Sequence, residues 1–243
     1  MLNVSAYRFV ALADPEAWRE RIRAQAAAAG LKGTVLLAGE GINLFLAGAP
    51  GPLRAMLDWL RSFEPYAGLD AKESWSDAVP FRRLLVKVKA EIIRMNAPAI
   101  RPDAGRAASV DARTLARWLD AGVDDDGREV VTLDTRNAFE VDAGRFRGAL
   151  DWGLARFTEF PERLAQRSAE LAGKTVVSYC TGGIRCEKAA ILMAQAGVER
   201  VLQLDGGILR YFEQTDGRHF EGNCFVFDQR ESLDVTLSPA QTV

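Results

Sequence analysis

The sequence has little histidine, little cysteine and no long apolar run. Its 243 residues include one histidine, His219, and three cysteines, Cys180, Cys186 and Cys224. One histidine excludes an iron site made of two histidines and a carboxylate, and the cysteines show no spacing typical of structural zinc, so we expect no bound metal. An odd number of cysteines does not form a disulfide framework, which favours a reducing compartment.

Other absences narrow the class of protein further. No apolar segment approaches the 18 uncharged residues of a membrane span, and residues 1–4 lead into strand-like sequence rather than a signal peptide, so we expect a cytoplasmic protein without membrane contact. The sequence has no P-loop and no flavin or nicotinamide fingerprint, so we expect no bound cofactor. The net charge of −2 gives no overall signature of nucleic-acid binding.

One short segment contains most of the recognisable chemistry. The apolar run Thr175–Tyr179 is followed by Cys180, Thr181, Gly182, Gly183, Ile184, Arg185 and Cys186, and then by a helix-like run from Glu187. A cysteine at the end of a buried strand, followed by two glycines, lies in a loop whose N–H groups can surround an anion. The helix N-terminus and Arg185 should lower the pKa of Cys180 well below about 8.5.

The spacing in this segment favours sulfur chemistry over phosphate chemistry. Four residues separate Cys180 from Arg185, one fewer than in C-x5-R phosphatase loops, so the loop suits a sulfur atom carried by Cys180 better than phosphate. It resembles the active-site loop of rhodanese domains. The structural alternative is that Cys180 and Cys186 are ordinary buried thiols. A Cys180–Cys186 disulfide that inactivates the nucleophile is a further hypothesis.

The order of elements predicts an α/β protein with two domains. Residues 1–95 read as β-α-β-β-α-β, with strands at Ser5–Val10, Leu31–Ala38, Ile42–Ala47 and Phe81–Ile93, which is typical of a ferredoxin-like domain. Residues 96–108 read as a linker containing Pro98, Pro102 and Gly105. Residues 109–220 alternate strands and helices, which predicts a parallel sheet, and the resemblance of the Cys180 loop implies a rhodanese fold for this domain. Residues 221–243 form a C-terminal extension.

The carboxyl ends of the parallel strands are the predicted site. Asp134 and Arg136 follow the strand Glu129–Asp134, and ligands of such sheets bind at this edge. The pair could support the Cys180 loop through charge-assisted hydrogen bonds or form only a structural ion pair. Among the aromatic residues, Trp152, Phe157, Tyr211 and Phe212 are candidates for stacking a base, with core packing as the alternative.

A basic stretch is the candidate RNA-binding segment. Between Phe81 and Asp120 nine basic residues stand against four acidic ones, in a chain that is acidic overall. We expect the phosphate backbone to contact this stretch, although a solvated charged face is the alternative. The candidate RNA-binding residues are Arg82, Arg83, Lys87, Lys89 and Arg94. The turn Glu40–Asn43 has two interpretations, a simple hairpin turn and an RNA contact.

The combined motifs resemble one family. They include residues 33–43, Asp134–Arg136, Glu140, residues 144–149, the Cys180 loop followed by Glu187 and Lys188, residues 204–208 and residues 222–228. Together they are similar to the oxygen-dependent tRNA uridine(34) hydroxylase family, whose N-terminal domain is acylphosphatase-like. The resemblance implies a tRNA substrate, molecular oxygen as co-substrate, 5-hydroxyuridine as product and Cys180 as the catalytic residue. Longer members continue into a cysteine-rich tail that this sequence does not show.

Several chemical interpretations stay open at the level of sequence. Cys180 could add to C6 of uridine and activate C5, with Arg185 and loop N–H groups stabilising the enolate, or an oxidised sulfur on Cys180 could deliver the oxygen. A sulfurtransferase that carries a cysteine persulfide is the main rival. A non-catalytic RNA-binding adaptor is the third interpretation.

Overall fold

The computed structural model describes residues 1–240 of the chain. The chain forms two compact units. Residues 1–94 with 227–231 make the first unit, and residues 95–226 with those from 232 onward make the second. Within the described residues no helix is long and apolar enough to cross a membrane.

The first unit is built on one mixed sheet and two helices. Its elements are β1 (Leu2–Phe9), α1 (Pro15–Ala28), β2 (Lys32–Ala38), β3 (Gly41–Gly48), α2 (Pro50–Arg61), β4 (Asp70–Trp75) and β5 (Leu84–Val88). The strand order is β4-β1-β3-β2-β5, antiparallel except for the β2–β5 pair at one edge. Apolar residues of β1, β2 and β3 form one core with the buried faces of α1 and α2.

The sequence prediction was wrong about the fourth strand of this unit. The strand that completes the β-α-β-β-α-β motif is β4, which precedes the predicted strand in the chain and pairs with β1. The predicted strand Phe81–Ile93 is shorter, Leu84–Val88, and adds a fifth strand beside β2. Helix α1 begins with strong local signals, since Asp14 accepts a hydrogen bond from the N–H of Ala17 and Pro15 occupies the first turn.

The second unit is a parallel sheet with helices. Its principal elements are β6 (Ser109–Val110), α3 (Ala112–Ala121), β7 (Val130–Asp134), α4 (Ala138–Ala143), β8 (Gly144–Phe146), β9 (Leu150–Asp151), α5 (Phe160–Arg167), β10 (Thr175–Tyr179), α6 (Ile184–Gln195), β11 (Arg200–Leu204) and α7 (Gly207–Gln214). The order is β6-β11-β10-β7-β9, with every pair parallel. Strand β10, which leads to Cys180, therefore lies at the centre of the sheet.

The C-terminal part adds three short strands. They are β12 (Phe220–Gly222), which pairs with β8, and β13 (Cys224–Phe225), which pairs with β14 (Ser232–Leu233). Residues 227–231, between β13 and β14, belong to the first unit, where Gln229 donates to the carbonyl of Pro80 and Arg230 to the hydroxyl of Ser74.

Candidate active site

The Cys180 loop connects β10 to α6 at the carboxyl end of the sheet. The backbone N–H of Gly183 donates to Cys180 Sγ at 3.1 Å, and Gly183 has a φ of 97°, a conformation that favours glycine. Cys180 is fully buried, and α6 begins at Ile184 with its positive end toward the loop. The loop therefore surrounds the sulfur with N–H groups, as its glycine pair predicts.

The environment of Cys180 favours the thiolate. Burial alone would raise the pKa of this thiol and is the largest single influence. A hydrogen bond with Cys186, the charge of Arg185 and the backbone N–H groups of Arg185 and Gly183 together outweigh it and lower the pKa of Cys180 to about 5. At neutral pH Cys180 is therefore a nucleophilic thiolate, which agrees with the expectation from the sequence.

Cys186 is a protonated thiol beside this thiolate. Burial, followed by the hydrogen bond and negative charge of Cys180, raises the pKa of Cys186 well above its ordinary value. The Thr135 hydroxyl donates its one proton to the carbonyl of Tyr179 at 2.9 Å, so it can only accept at its 3.6 Å contact with Cys186. The Cys186 S–H thus has two acceptors, Cys180 and Thr135. All three cysteines are free thiols.

Arg185 has a buried partner that the sequence analysis did not assign to it. Its two terminal nitrogens donate to the carboxylate oxygens of Glu140 at 2.7 and 2.6 Å. Glu140 has no exposed surface, and the exposed fraction of Arg185 is 6%. The bidentate pair fixes the guanidinium, so Arg185 acts on the thiolate through its charge and its backbone N–H. The pair uses two of the five N–H donors of the guanidinium and holds the group in one orientation.

Asp134 and Arg136 form a second buried ion pair. Arg136 Nη2 lies 2.6 Å from Asp134 Oδ2 and 2.6 Å from the carbonyl oxygen of Gly144, and Nη1 donates to the carbonyl of Glu140 at 3.2 Å. Arg136 is fully buried, and Asp134 is nearly so. The pair therefore ties the end of β7 to α4, the helix that carries Glu140. Through this helix the pair is connected to Glu140, the residue that binds Arg185.

Gly207 allows α7 to approach the loop. Ile208 N donates to the carbonyl of Cys180 and Leu209 N to that of Thr181, both at 3.0 Å. Gly207 has a φ of 65°, and a Cβ at this position would lie 2.4 Å from the carbonyl oxygen of Cys180. Only glycine fits there without movement of the loop.

Segment 96–108, the predicted linker, also contacts the active-site helix. Arg106 forms an ion pair with buried Glu187 in the first turn of α6, and Gln203 donates to the same carboxylate at 3.0 Å. Gln203 also donates to the carbonyl of Ala107 at 3.4 Å. Glu187, which belongs to the sequence motif after Cys186, therefore connects this segment to β11 and α6.

Comparisons with known proteins agree with both halves of the fold. The family model of the UPF0176 acylphosphatase like domain matches residues 1–92, and the Rhodanese-like domain matches residues 115–214. A protein of Bordetella pertussis named tRNA uridine(34) hydroxylase is 63% identical over 98% of each chain. Proteins of the same name from Variovorax paradoxus and Cupriavidus necator are 61% and 56% identical, covering 98% and 99% of this chain and 90% and 85% of their own.

The chain belongs to the tRNA uridine(34) hydroxylase family. The predicted fold class is confirmed, with a mixed sheet in the acylphosphatase-like part and a parallel sheet in the rhodanese-like part.

The basic residues of this family member fall into two groups. Arg101, Arg106 and Arg117 are neutralised by Asp103, Glu187 and Asp125. The five candidate RNA-binding residues of the first unit are all exposed. Within the described part of the chain four of them form no ion pair, namely Arg82, Arg83, Lys87 and Lys89. Arg94, the fifth candidate, is exposed but has an interaction partner.

The turn between β2 and β3 has a structural role in this family member. Glu40 Oε1 accepts the N–H of Ile92 at 2.7 Å, and Asn43 Nδ2 donates to the carbonyl of Ile92 at 3.3 Å. These contacts hold the chain after β5. They favour the hairpin interpretation of Glu40–Asn43 over an RNA contact.

The aromatic candidates for base stacking are core residues in this hydroxylase-family chain. Trp152, Phe157, Tyr211 and Phe212 expose at most 5% of their surface. Phe146 packs edge to face with Tyr179 and Tyr211, which shows why Tyr211 is needed in the core. The structural alternative is therefore correct for these four residues. Cys224 is also buried, and burial raises its pKa to about 12.

Proposed function

We propose that this protein hydroxylates C5 of the wobble uridine, position 34, of tRNA to 5-hydroxyuridine, with molecular oxygen as co-substrate and Cys180 as the catalytic residue. The observation that carries this proposal is the 63% identity, over 98% of both chains, to a protein named tRNA uridine(34) hydroxylase. The thiolate environment of Cys180 supplies the chemistry that such a reaction needs.

The reaction begins in this proposal with nucleophilic addition. The Cys180 thiolate forms a bond to C6, and the C5–C6 π electrons move toward C5 and O4, which makes C5 nucleophilic. An oxygen atom derived from O2 bonds to C5, the C5 proton leaves to a base, and the S–C6 bond breaks to restore the ring and the thiolate. The second oxygen atom leaves as water, which requires two electrons and two protons from an external reductant.

The Cys180 loop limits how the reaction proceeds. The thiol has no exposed surface, so the atoms around it must move before a uracil ring can reach Sγ. The Cys186 S–H lies beside the thiolate and can solvate it until the substrate arrives. The N–H of Gly183 lies 3.1 Å from the Cys180 sulfur, so loop N–H groups can stabilise charge that develops on a ring bonded to this sulfur.

In this proposal one domain carries out catalysis and the other binds the tRNA. Residues 109–220 form the catalytic rhodanese-like domain with Cys180, the loop Thr181–Cys186 and the supporting pair Asp134 and Arg136. Residues 1–95 bind the tRNA backbone through Arg82, Arg83, Lys87, Lys89 and Arg94. Residues 96–108 connect this domain to the catalytic domain, and residues 221–243 are a C-terminal extension. A tRNA substrate and reduced cysteines fit a cytoplasmic location.

A sulfurtransferase is the second candidate. The match of the Rhodanese-like domain to residues 115–214 favours it, and the same low-pKa thiolate would carry the persulfide. This candidate assigns no role to the basic residues of the first unit.

The test is nucleoside mass spectrometry of bulk tRNA from a strain that lacks the gene. The strain is complemented with wild type, Cys180→Ala or the matched control Cys224→Ala, and is grown with and without air. We expect 5-hydroxyuridine derivatives to return with wild type and Cys224→Ala in air only. Restoration by Cys180→Ala would refute a catalytic role for this residue. Unchanged hydroxylation in the deletion strain, together with a thiosulfate-dependent persulfide on Cys180, would identify a sulfurtransferase.

A further inference from the structure

One exposed aromatic residue lies beside the Cys180 loop. Phe139, in the first turn of α4, exposes 50% of its surface, whereas the four aromatic residues suggested by the sequence are buried. An aromatic ring combines a large apolar surface with a π face, and both can bind a flat ligand. Half of the Phe139 surface is accessible to such a ligand.

Phe139 and Phe225 form an aromatic pair. Their ring centroids are 5.2 Å apart, and the ring planes meet at 85°, which is an edge-to-face arrangement. Phe225 is half-buried in β13 and supports the more exposed ring.

Two separate connections place this pair at the Cys180 loop. Glu140, the residue after Phe139, holds Arg185 through the bidentate pair at 2.6 and 2.7 Å. On the other side, the Thr181 hydroxyl donates to the carbonyl of Phe225 at 3.4 Å. Thr181 directly follows the nucleophile and is itself buried. Both aromatic residues are thus attached through buried groups to the segment that carries the thiolate.

We propose that Phe139, supported by Phe225, is the stacking surface for the uracil ring that Cys180 attacks. This inference rests on the proposed function, because it takes the substrate to be an unpaired pyrimidine of an RNA loop. Proteins recognise such unstacked bases by aromatic side chains. The Phe139 ring at the edge of the loop would restrict the rotation of the uracil. The C6 edge of the uracil would then face the Cys180 sulfur once the loop opens.

The experiment is a double-mutant cycle on RNA binding. The probes are a fluorescent anticodon stem-loop with uridine at position 34 and the same RNA with an abasic site there. Wild type, Phe139→Leu, Phe139→Tyr and the exposed-aromatic control Trp75→Leu are titrated with both RNAs. Leucine keeps an apolar side chain but removes the aromatic face, so it isolates stacking from simple burial.

We expect wild type, Phe139→Tyr and Trp75→Leu to bind the uridine RNA about 10-fold more tightly than the abasic RNA, and Phe139→Leu to discriminate less than about 2-fold. The alkylation rate of Cys180 should be unchanged in Phe139→Leu, because the loop contacts remain. Equal discrimination by wild type and Phe139→Leu, or none by wild type, would overturn the inference.

Failure of the proposed function gives a different pattern. If the deletion strain keeps its 5-hydroxyuridine while the binding cycle shows the expected loss, the stacking surface stands and the reaction assigned to it is wrong. If hydroxylation depends on the gene but Phe139→Leu discriminates like wild type, the reaction stands and the stacking surface is wrong.

Discussion

At the scale of single residues, the chemistry depends on two cysteines with opposite protonation. Cys180 has its pKa lowered to about 5, and Cys186 has its pKa raised. In the unfolded chain a cysteine titrates near 8.5. Between about pH 5 and pH 8.5 the Cys180 thiol is more protonated in the unfolded chain than in the folded chain. The contribution of this group to the free energy of unfolding therefore increases as pH rises through that range.

Replacing Cys186 by alanine should raise the pKa of Cys180. Alanine removes the donor to the thiolate, and a hydrogen bond to a charged group contributes about 1.5–3 kcal/mol, or about 1–2 pKa units. The pH midpoint for alkylation of Cys180 by iodoacetamide, followed by peptide mass spectrometry, should move upward by about that amount. The control is Cys224→Ala, which removes another buried thiol that does not bond to Cys180. Equal midpoints for wild type and Cys186→Ala would contradict this role of Cys186.

At the scale of elements, the approach of α7 to the loop depends on Gly207. Its missing Cβ allows Ile208 and Leu209 to donate to the loop carbonyls. Alanine there would meet backbone atoms at 2.4–2.8 Å, so either α7 or the loop must move.

Gly207→Ala should therefore destabilise the fold and reduce hydroxylation together. The strain of positive φ and the overlap with the loop should cost about 2–4 kcal/mol in the free energy of unfolding, measured by urea denaturation. The matched control is Gly197→Ala, because Gly197 has a φ of 86° and nothing within 4 Å of an added Cβ. The control should lose about 1 kcal/mol and keep its activity. Similar losses of unfolding free energy and activity in Gly207→Ala and Gly197→Ala would show that the close approach of α7 to the loop does not determine stability or activity.

The elements that the sequence predicted best are those with strong local signals. Strand β10 has its predicted bounds, and β7 begins one residue later than predicted and ends at Asp134 as predicted. Strand β4, Asp70–Trp75, was missed because three of its six residues are charged and Trp75 is its one residue with a high β propensity. Its assignment depends on pairing with β1. Tertiary pairing of this kind has no local pattern.

The candidate site was predictable to a similar degree. The loop, its cysteine and the lowered pKa follow from local sequence, since glycine, strand end and helix start are all local features. The partner of Arg185 could not be found this way, because Glu140 lies 45 residues earlier and only the fold brings the two together. The exposure of Phe139 and the burial of Tyr211 also depend on packing that apolar composition does not reveal.

At the scale of the whole molecule, charge must explain how an acidic protein binds tRNA. The net charge is −2, so attraction to phosphate has to come from a local concentration of free cations. Strand β5 lies at the edge of its sheet, with Lys87 in the strand, Lys89 just after it and Arg82 and Arg83 just before it. Lys87 and Lys89 are two residues apart, which places their side chains on the same side of an extended chain.

Neutralising this basic edge should reduce both tRNA affinity and its dependence on salt. Each phosphate contact contributes about 0.7–0.9 to the slope of log K against log salt concentration, so changing all four residues to glutamine should lower the slope by about 3. The control is the double variant Arg101→Gln and Arg117→Gln, whose arginines are already paired with Asp103 and Asp125. Because paired arginines release few counterions on binding, the control should keep the wild-type slope in anisotropy titrations. If instead the control lowers the slope and the quadruple variant does not, the phosphate backbone follows the linker and α3 rather than β5.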